Sequence, residues 1–436
     1  MSGSEKEACA RACTLWLGIT TFLPVLVVAS CVARPTTATT NAGSLERGQL
    51  REVRVALQTN ARRVTLSATG AWIISDNGGL NTVVQASGVD AWIVEPAGQR
   101  LLRANRADAM PTAARPGPIT ARPMDSRSLI IVNERRYRGE IAIVPTDTGM
   151  LVVNRLDVES YLRGVVPLEI GTRRVAGEHA AIAAQAVAAR SYTHTRLGAE
   201  RVRAYDLLAT VFDQVYGGAD AETPLADEAV LATRGLVLTF RGRVVSAPYH
   251  STCGGSTAAA SEVWRSPDEP FLRPVSDRIP GTERYYCDVS PRFNWTRTFD
   301  AHSLSATLGK YLGAYTSIPA RGVGITRNVT VDGNTPSGRV RSLGVLADGQ
   351  RYALRGNDIR FVFRTPGGEI LNSTYFTVHA EHDAAGAVSR LTLRGAGNGH
   401  GIGMCQWGAI GRARAGQDFR TILGTYYPGT AVATVY

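Results

Sequence analysis

Among the carboxylates of this sequence, Glu169 in "VVPLEIG" has the surroundings of a proton donor. It follows a proline, is flanked by Leu168 and Ile170, and has no basic residue beside it before Arg173 and Arg174. A carboxyl in apolar surroundings is harder to ionise than one in water, so it keeps its proton near neutral pH and becomes usable as a general acid. The same spacing also fits a glutamate at a helix end that faces solvent, and composition does not choose between the two. A second stretch, "GHGIGMCQWGAIG" from position 399, sets His400, Gln406 and Trp407 among closely spaced glycines. Glycines at 399, 401, 403 and 408 let backbone approach a ligand and adopt positive φ, while the three side chains offer polar contacts and a flat face for stacking. For His400 the plain alternative is a hydrogen-bonded structural histidine.

The elements that must position these residues follow from periodicity. From about residue 50 to 155 the chain reads as strands: "REVRVALQ", "RRVTLSAT", "AWIISD", "AWIVEP" and "SLIIVN" alternate or cluster β-branched residues between Gly, Asn, Asp and Pro breakers. A short helix follows in "NRLDVESYLRGVVPLEIG", capped by Asp157 and expected to end at Gly164 and Pro167. An alanine-rich helix runs through "VAGEHAAIAAQAVAARSYTHTRLG", with Ile182, Ala186, Ala189 and Thr193 approximating one buried stripe and Gly198 closing it. The remainder mixes strands with short helical pieces near "HSLSATLGKYL" and "DFRTILGTYY", the second ending near Tyr427 and serving packing. The expected fold class is α+β: a β-rich first half, residues 50–155, and a mixed α/β catalytic core, 156–436, whose Ala-rich helix lies next to the active-site loop.

Composition bounds the partners. The chain has 436 residues, is 44% hydrophobic and carries a formal net charge of +11, enough apolar content for a substantial core. Lysine occurs only at Lys6 and Lys310, so the positive charge is almost all arginine, whose planar fork suits carboxylates and phosphates. No zinc finger, RNA-binding sheet signature or basic helix with interleaved aromatics is visible, which disfavours nucleic acid and favours an acidic carbohydrate polymer.

The N-terminus points to export. After Lys6 and Arg11 comes "TLWLGITTFLPVLVVAS", short for a membrane span and laid out as a signal, and it ends at Cys31 after the small residues Ala29 and Ser30. This resembles a bacterial lipobox. Residues 1–30 are expected to be a lipoprotein signal peptide, Cys31 the lipidated N-terminus and residues 31–49 a tether, with an ordinary signal peptide or uncleaved anchor as the alternative. Cys9 and Cys13 leave with the signal, and Cys253, Cys287 and Cys405 remain. In an oxidising compartment a Cys253–Cys287 disulfide is the default. Zinc is its rival, because His250-x-x-Cys253 has ligand spacing, and a Cys253/His250 nucleophilic pair is a third option.

Five blocks carry a resemblance: "RLDVESYLRGVVPLEIG", "AAIAAQAVAARSYT", "VFDQVYGG", "YHSTCGGSTAAASEVW" and "GHGIGMCQWGAIGRARAGQDFRTILGTYYPG". Together, in this order, they resemble the SpoIID/LytB family, the stage II sporulation protein D proteins and their amidase-enhancer relatives. The resemblance spans nearly all of residues 50–436. It implies a peptidoglycan-active exported protein, either a lytic transglycosylase acting on glycan strands stripped of stem peptides or a non-catalytic glycan-binding protein that activates an amidase. It places the catalytic carboxyl at Glu169. Gln185, Arg190, Ser191 and Tyr192 are then expected to bind sugar, beside His400, Gln406 and Trp407; for Arg190 the alternative is pairing with a structural acid such as Asp213. No cofactor is required. Some family members carry zinc near the active site, but with more histidine and cysteine close together than "HSTCGGSTA" provides.

Overall fold

The computed structural model describes residues 51–436 except 77–78, 89, 107–109, 200–202 and 321. The expected signal, Cys31 and the tether lie outside the described residues. The β-rich first half is present. Glu52–Ala61 pairs antiparallel with Gly149–Asp157, which pairs in turn with Glu140–Thr146, within a seven-stranded sheet. A six-stranded sheet faces it, and Val53, Val55, Leu66, Trp72, Val94 and Ile119 are buried between and around the two.

The strand Gly149–Asp157 leads directly into α1 (Val158–Ile170), whose N-cap is Asp157: its carboxylate accepts the Ser160 amide at 3.0 Å. The helix does not stop at Gly164 or Pro167, as the sequence suggested. Gly164 is instead a packing glycine, since a Cβ there would lie 2.6 Å from the Tyr216 ring, and its carbonyl accepts the Gly217 amide at 3.1 Å. Pro167 sits in the last turn, where its missing N–H costs a single helical bond. The helix ends at Gly171, φ 104°, a conformation that L side chains resist. Glu169 is thereby held on the final helical turn.

Next come α2 (His179–Arg196) and α3 (Pro224–Ala232). Burial on α2 goes well beyond one stripe: every residue from Ala181 to Ser191 is buried, because its alanines let α1, α3 and the C-terminal helices close on it from several sides. The remaining helices are α4 (Ala260–Val263), α5 (Ala301–Tyr311), α6 (Asp358–Val362), α7 (Gln406–Arg414) and α8 (Phe419–Tyr426). The two helical pieces read from sequence correspond to α5 and α8, the latter capped by Tyr427, which is fully buried.

Within the stretch expected as one catalytic core, residues 294–396 have a hydrophobic core of their own, built on Phe299, Leu308, Leu343, Val345, Phe363 and Leu393. Two three-stranded antiparallel sheets and α5 enclose it. The chain then returns. Tyr249–His250 pairs in parallel with Met404–Cys405, and single bridges join Thr252 to Asn398 and Ala258 to Ile402, so the "YHSTCGG" and "GHGIGMC" segments lie side by side. Among the described residues no helix is long and apolar enough to cross a membrane.

Candidate active site

Three elements meet at Glu169. The end of α1 supplies the carboxylate, the segment after α2 supplies the Val215 amide, which donates to Glu169 Oε1 at 2.8 Å, and the start of α7 supplies the Gln406 side-chain amide as a second donor. Gln406 Nε2 also donates to Gln185 Oε1 at 3.3 Å. Gln185 is fully buried, so it acts on the site by orienting Gln406 rather than by touching a ligand. Removal from water is the main influence on the Glu169 carboxyl and outweighs the two donors, raising it to about 7. Of the two readings left open by composition, the structure selects the protonatable acid over the solvated helix end.

The rim is aromatic and basic. The Arg174 guanidinium lies 5.1 Å over the Trp407 ring, and the Trp407 amide is tied to the Ser251 carbonyl at 3.0 Å. Tyr192 donates to Asp213 at 3.0 Å and is covered by Arg196. Asp213, two residues before Val215, is further engaged by the Leu208 amide at 2.9 Å. Val211 and Phe212, 81% and 77% exposed, stand on the same loop as a solvent-facing apolar edge. Gln214 anchors that loop from below: it accepts from Thr193 and Tyr161 and donates to the Tyr249 hydroxyl at 2.9 Å. A cleft of about 320 Å³ opens at the same end of α1, lined by Pro167, Ile170, Gly171, Thr172 and Arg174 among others; the Glu169 carboxylate is not among its walls.

Several residues expected to bind sugar have other work. Arg190 is fully buried and clamps Glu159 through two bonds of 2.8 and 2.7 Å, so its acid partner is Glu159 and not Asp213. Ser191 is fully buried, donating to the Val187 carbonyl and accepting the Leu238 amide. His400 accepts the Ile402 amide on Nδ1 at 3.1 Å and packs its ring against Trp264 and His250, which makes it a brace for its own loop. Arg190 and Ser191 were misassigned because helical spacing does not say which side of an almost wholly buried helix faces a cleft. The Val215 amide and Phe212 had no signal beyond their place in the "VFDQVYGG" block.

The expected Cys253–Cys287 disulfide is not formed: the sulfurs are 3.4 Å apart, against about 2.05 Å for a bond. Nor do His250 and Cys253 form a zinc pair. The ligand atoms that converge with that of Cys253 are those of Asp277, Cys287 and Cys405, and neither ring nitrogen of His250 is among them. The same separation argues against a Cys253/His250 nucleophile, since Cys253 is fully buried.

Residues 146–240, which hold Glu169, Gln185 and Val215, match the model of the stage II sporulation protein family, and residues 281–403, the second core, match a domain of unknown function. Relatives include the amidase enhancer of Bacillus subtilis, 29% identical over 63% of this chain and 40% of its own length, and stage II sporulation protein D of the same organism, 28% identical over 64% and 76%. The family segment and these relatives together support the SpoIID/LytB family for this chain. An uncharacterized protein of Brachyspira hyodysenteriae is similar as well, 28% identical over 69% of this chain and 73% of its own. The match spans less than half of the amidase enhancer. The matched SpoIID segment thus supplies the acid and the amide that holds it, and α7, outside that segment, supplies the second donor.

The raised Glu169 carboxyl has a thermodynamic consequence. Because the folded chain holds this proton more tightly than the unfolded one, the group lowers stability as pH rises from 4.5 to about 7, and above 7 the penalty is complete. Its ceiling is about 3 kcal/mol, reduced by the partial exposure of the side chain. Glu169→Gln is therefore expected to melt with the wild type near pH 4.5 and above it at pH 8, as read by calorimetry at both values.

Proposed function

We propose that this protein is a peptidoglycan lytic transglycosylase in which Glu169 serves first as acid and then as base. The SpoIID segment and the amidase-enhancer relative support a peptidoglycan-related role, and the single observation that carries the finer reading is the Glu169 carboxyl held near 7 beside an open aromatic and basic rim. Hydrolytic glycosidases ordinarily need two carboxyls. Here the neighbouring acid on the Val215 segment, Asp213, is already bound by Tyr192 and Leu208, which suits a reaction needing only one. Glu169 gives its proton to the glycosidic oxygen following N-acetylmuramic acid as the C1–O bond breaks. The C6 hydroxyl of that sugar then attacks C1 and returns its proton to Glu169, leaving a 1,6-anhydro end.

Val215 and Gln406 fix the carboxylate's direction, while Trp407, Tyr192 and Phe212 offer faces and a hydroxyl to the sugar. The test is incubation of the protein with amidase-treated glycan strands and mass spectrometry of the products. Anhydro ends support the reading; reducing ends mean hydrolysis with a second carboxylate. Binding without cleavage would favour the alternative, a glycan-binding protein that activates an amidase, a reading to which the amidase-enhancer relative lends weight.

Strands without stem peptides expose a lactyl carboxylate on every muramic acid, so an arginine-rich chain of net charge +11 is expected to prefer them over peptide-bearing strands. Their affinity is expected to fall as salt rises, because screening acts over about 8 Å at physiological ionic strength. Salt-independent binding in a titration would assign the affinity to stacking on residues such as Trp407 instead. The same proposal places the protein outside the cytoplasm, anchored through a lipid on Cys31; the intact mass of the mature chain checks this.

A further inference from the structure

The three cysteines of the described residues come from distant positions, yet Cys253, Cys287 and Cys405 converge with Asp277 so that their ligand atoms all lie within 4.8 Å of one another, each residue fully buried. We propose that these four side chains form a closed tetrahedral site for a divalent transition-metal ion, zinc by its chemistry, that locks the loop bearing Gln406 and Trp407 in place.

The spacing fits. Zinc–thiolate bonds of about 2.3 Å at tetrahedral angles put neighbouring ligand atoms roughly 3.8 Å apart. The Cys253 sulfur is 3.4 Å from that of Cys287 and 3.8 Å from Asp277 Oδ2. Outer contacts resemble those that fix metal ligands. Asp277 Oδ1 is saturated by the Tyr426 hydroxyl at 2.7 Å and Arg412 Nη2 at 3.1 Å, which leaves Oδ2 toward the sulfurs. The Cys405 sulfur accepts two backbone amides, those of Cys253 and Gly408, both at 3.2 Å, the arrangement that stabilises a thiolate.

Charge gives an independent indication. Arg412 is buried on one side of the group, and Arg339, 1% exposed, is on another, donating to the Cys253 and Ser256 carbonyls with no carboxylate paired to it among the described residues. Buried cations demand nearby negative charge. Three thiolates, a carboxylate and a divalent ion together retain two negative charges, which the two guanidiniums match. With three neutral thiols Arg339 would have only the unpaired, longer-range charge of Glu262 to offset it. Soft thiolates with one oxygen select zinc or iron over magnesium or calcium, and four protein ligands without exposure make the site structural rather than catalytic.

Position supplies the purpose. Gln406, the residue after Cys405, donates to Glu169, and Cys253 and Cys405 lie on the two paired segments. An ion here would staple "YHSTCGG" to "GHGIGMC", which a two-residue parallel pairing and two single bridges otherwise join.

The inference does not rest on the proposed chemistry, since metal content and thiol state are read without any cleavage assay. The full chain, purified without chelators or immobilised metal, is expected to contain about one zinc per molecule by mass spectrometry of the elements. Exchange with cobalt should give sulfur-to-metal charge transfer and the intense visible bands of a tetrahedral site. Cys287→Ser and Asp277→Asn should each lower zinc affinity by about ten-fold or more. If a variant fails to fold, the cobalt spectrum of the wild type alone still decides. Three free thiols without metal, or a Cys253–Cys287 disulfide with a single free thiol, would overturn the site.

Discussion

Glu169→Gln is expected to fold, to bind denuded glycan strands and to cleave them about 10²- to 10⁴-fold more slowly than the wild type. Glutamine keeps the shape of the side chain and an acceptor for the Val215 amide, which donates at 2.8 Å, so the end of α1 has no reason to move. What disappears is the transferable proton, and with it the base that later collects the C6 hydroxyl proton. The wild-type rate should also carry the signature of the carboxyl held near 7: kcat/KM falls as pH rises through that value, because the free enzyme must begin protonated. That limb should vanish in Glu169→Gln. A variant that cleaves like the wild type removes Glu169 from the reaction, and a wild type with no cleavage at all moves the protein to the amidase-activating reading.

The sequence made the acid legible and its supports much less so. Leu168, Ile170 and the absence of adjacent bases admitted a carboxyl that resists ionisation without choosing it over a solvated helix end; the resemblance pointed to Glu169, and burial raises its carboxyl although Leu168 itself is 38% exposed. The strands of the first half were equally plain, because alternation on a half-buried sheet is local information. The second core at residues 294–396 was not recognised as separate, since its strands are ordinary and only long-range pairing, such as Asn294–Asp300 with Val388–Ala396, reveals that they close on themselves. Nor was the meeting of Cys405 with Cys253 and Cys287 legible. Sequence distance suggested a two-cysteine bridge, whereas the parallel pairing of Tyr249–His250 with Met404–Cys405 brings in the third. Helix α2 shows the same limit in reverse: the resemblance offered its polar residues Gln185, Arg190, Ser191 and Tyr192 to the sugar, and Gln185, Arg190 and Ser191 are buried.

Arg190→Met is expected to destabilise the fold by about 3–5 kcal/mol, which is roughly 150- to 5,000-fold in the unfolding equilibrium. The guanidinium is fully buried and forms two bonds to Glu159, with further bonds to the Leu236 carbonyl at 3.0 Å and the Val230 carbonyl at 3.3 Å. It therefore ties the first turn of α1 to α2, α3 and the strand at Leu236. Methionine fills much of the volume but leaves the Glu159 carboxylate with only the Gly235 amide and the Tyr436 hydroxyl, an uncompensated charge on a side chain only 13% exposed. Leaving a charge behind costs more than the pair itself contributes, so Glu159→Met/Arg190→Met should recover part of the loss. Denaturant titrations of the two single variants and the double variant measure this directly. A sugar-binding Arg190 would behave in the opposite way, with an unchanged midpoint and a weaker affinity for glycan, and that outcome would return the residue to the substrate.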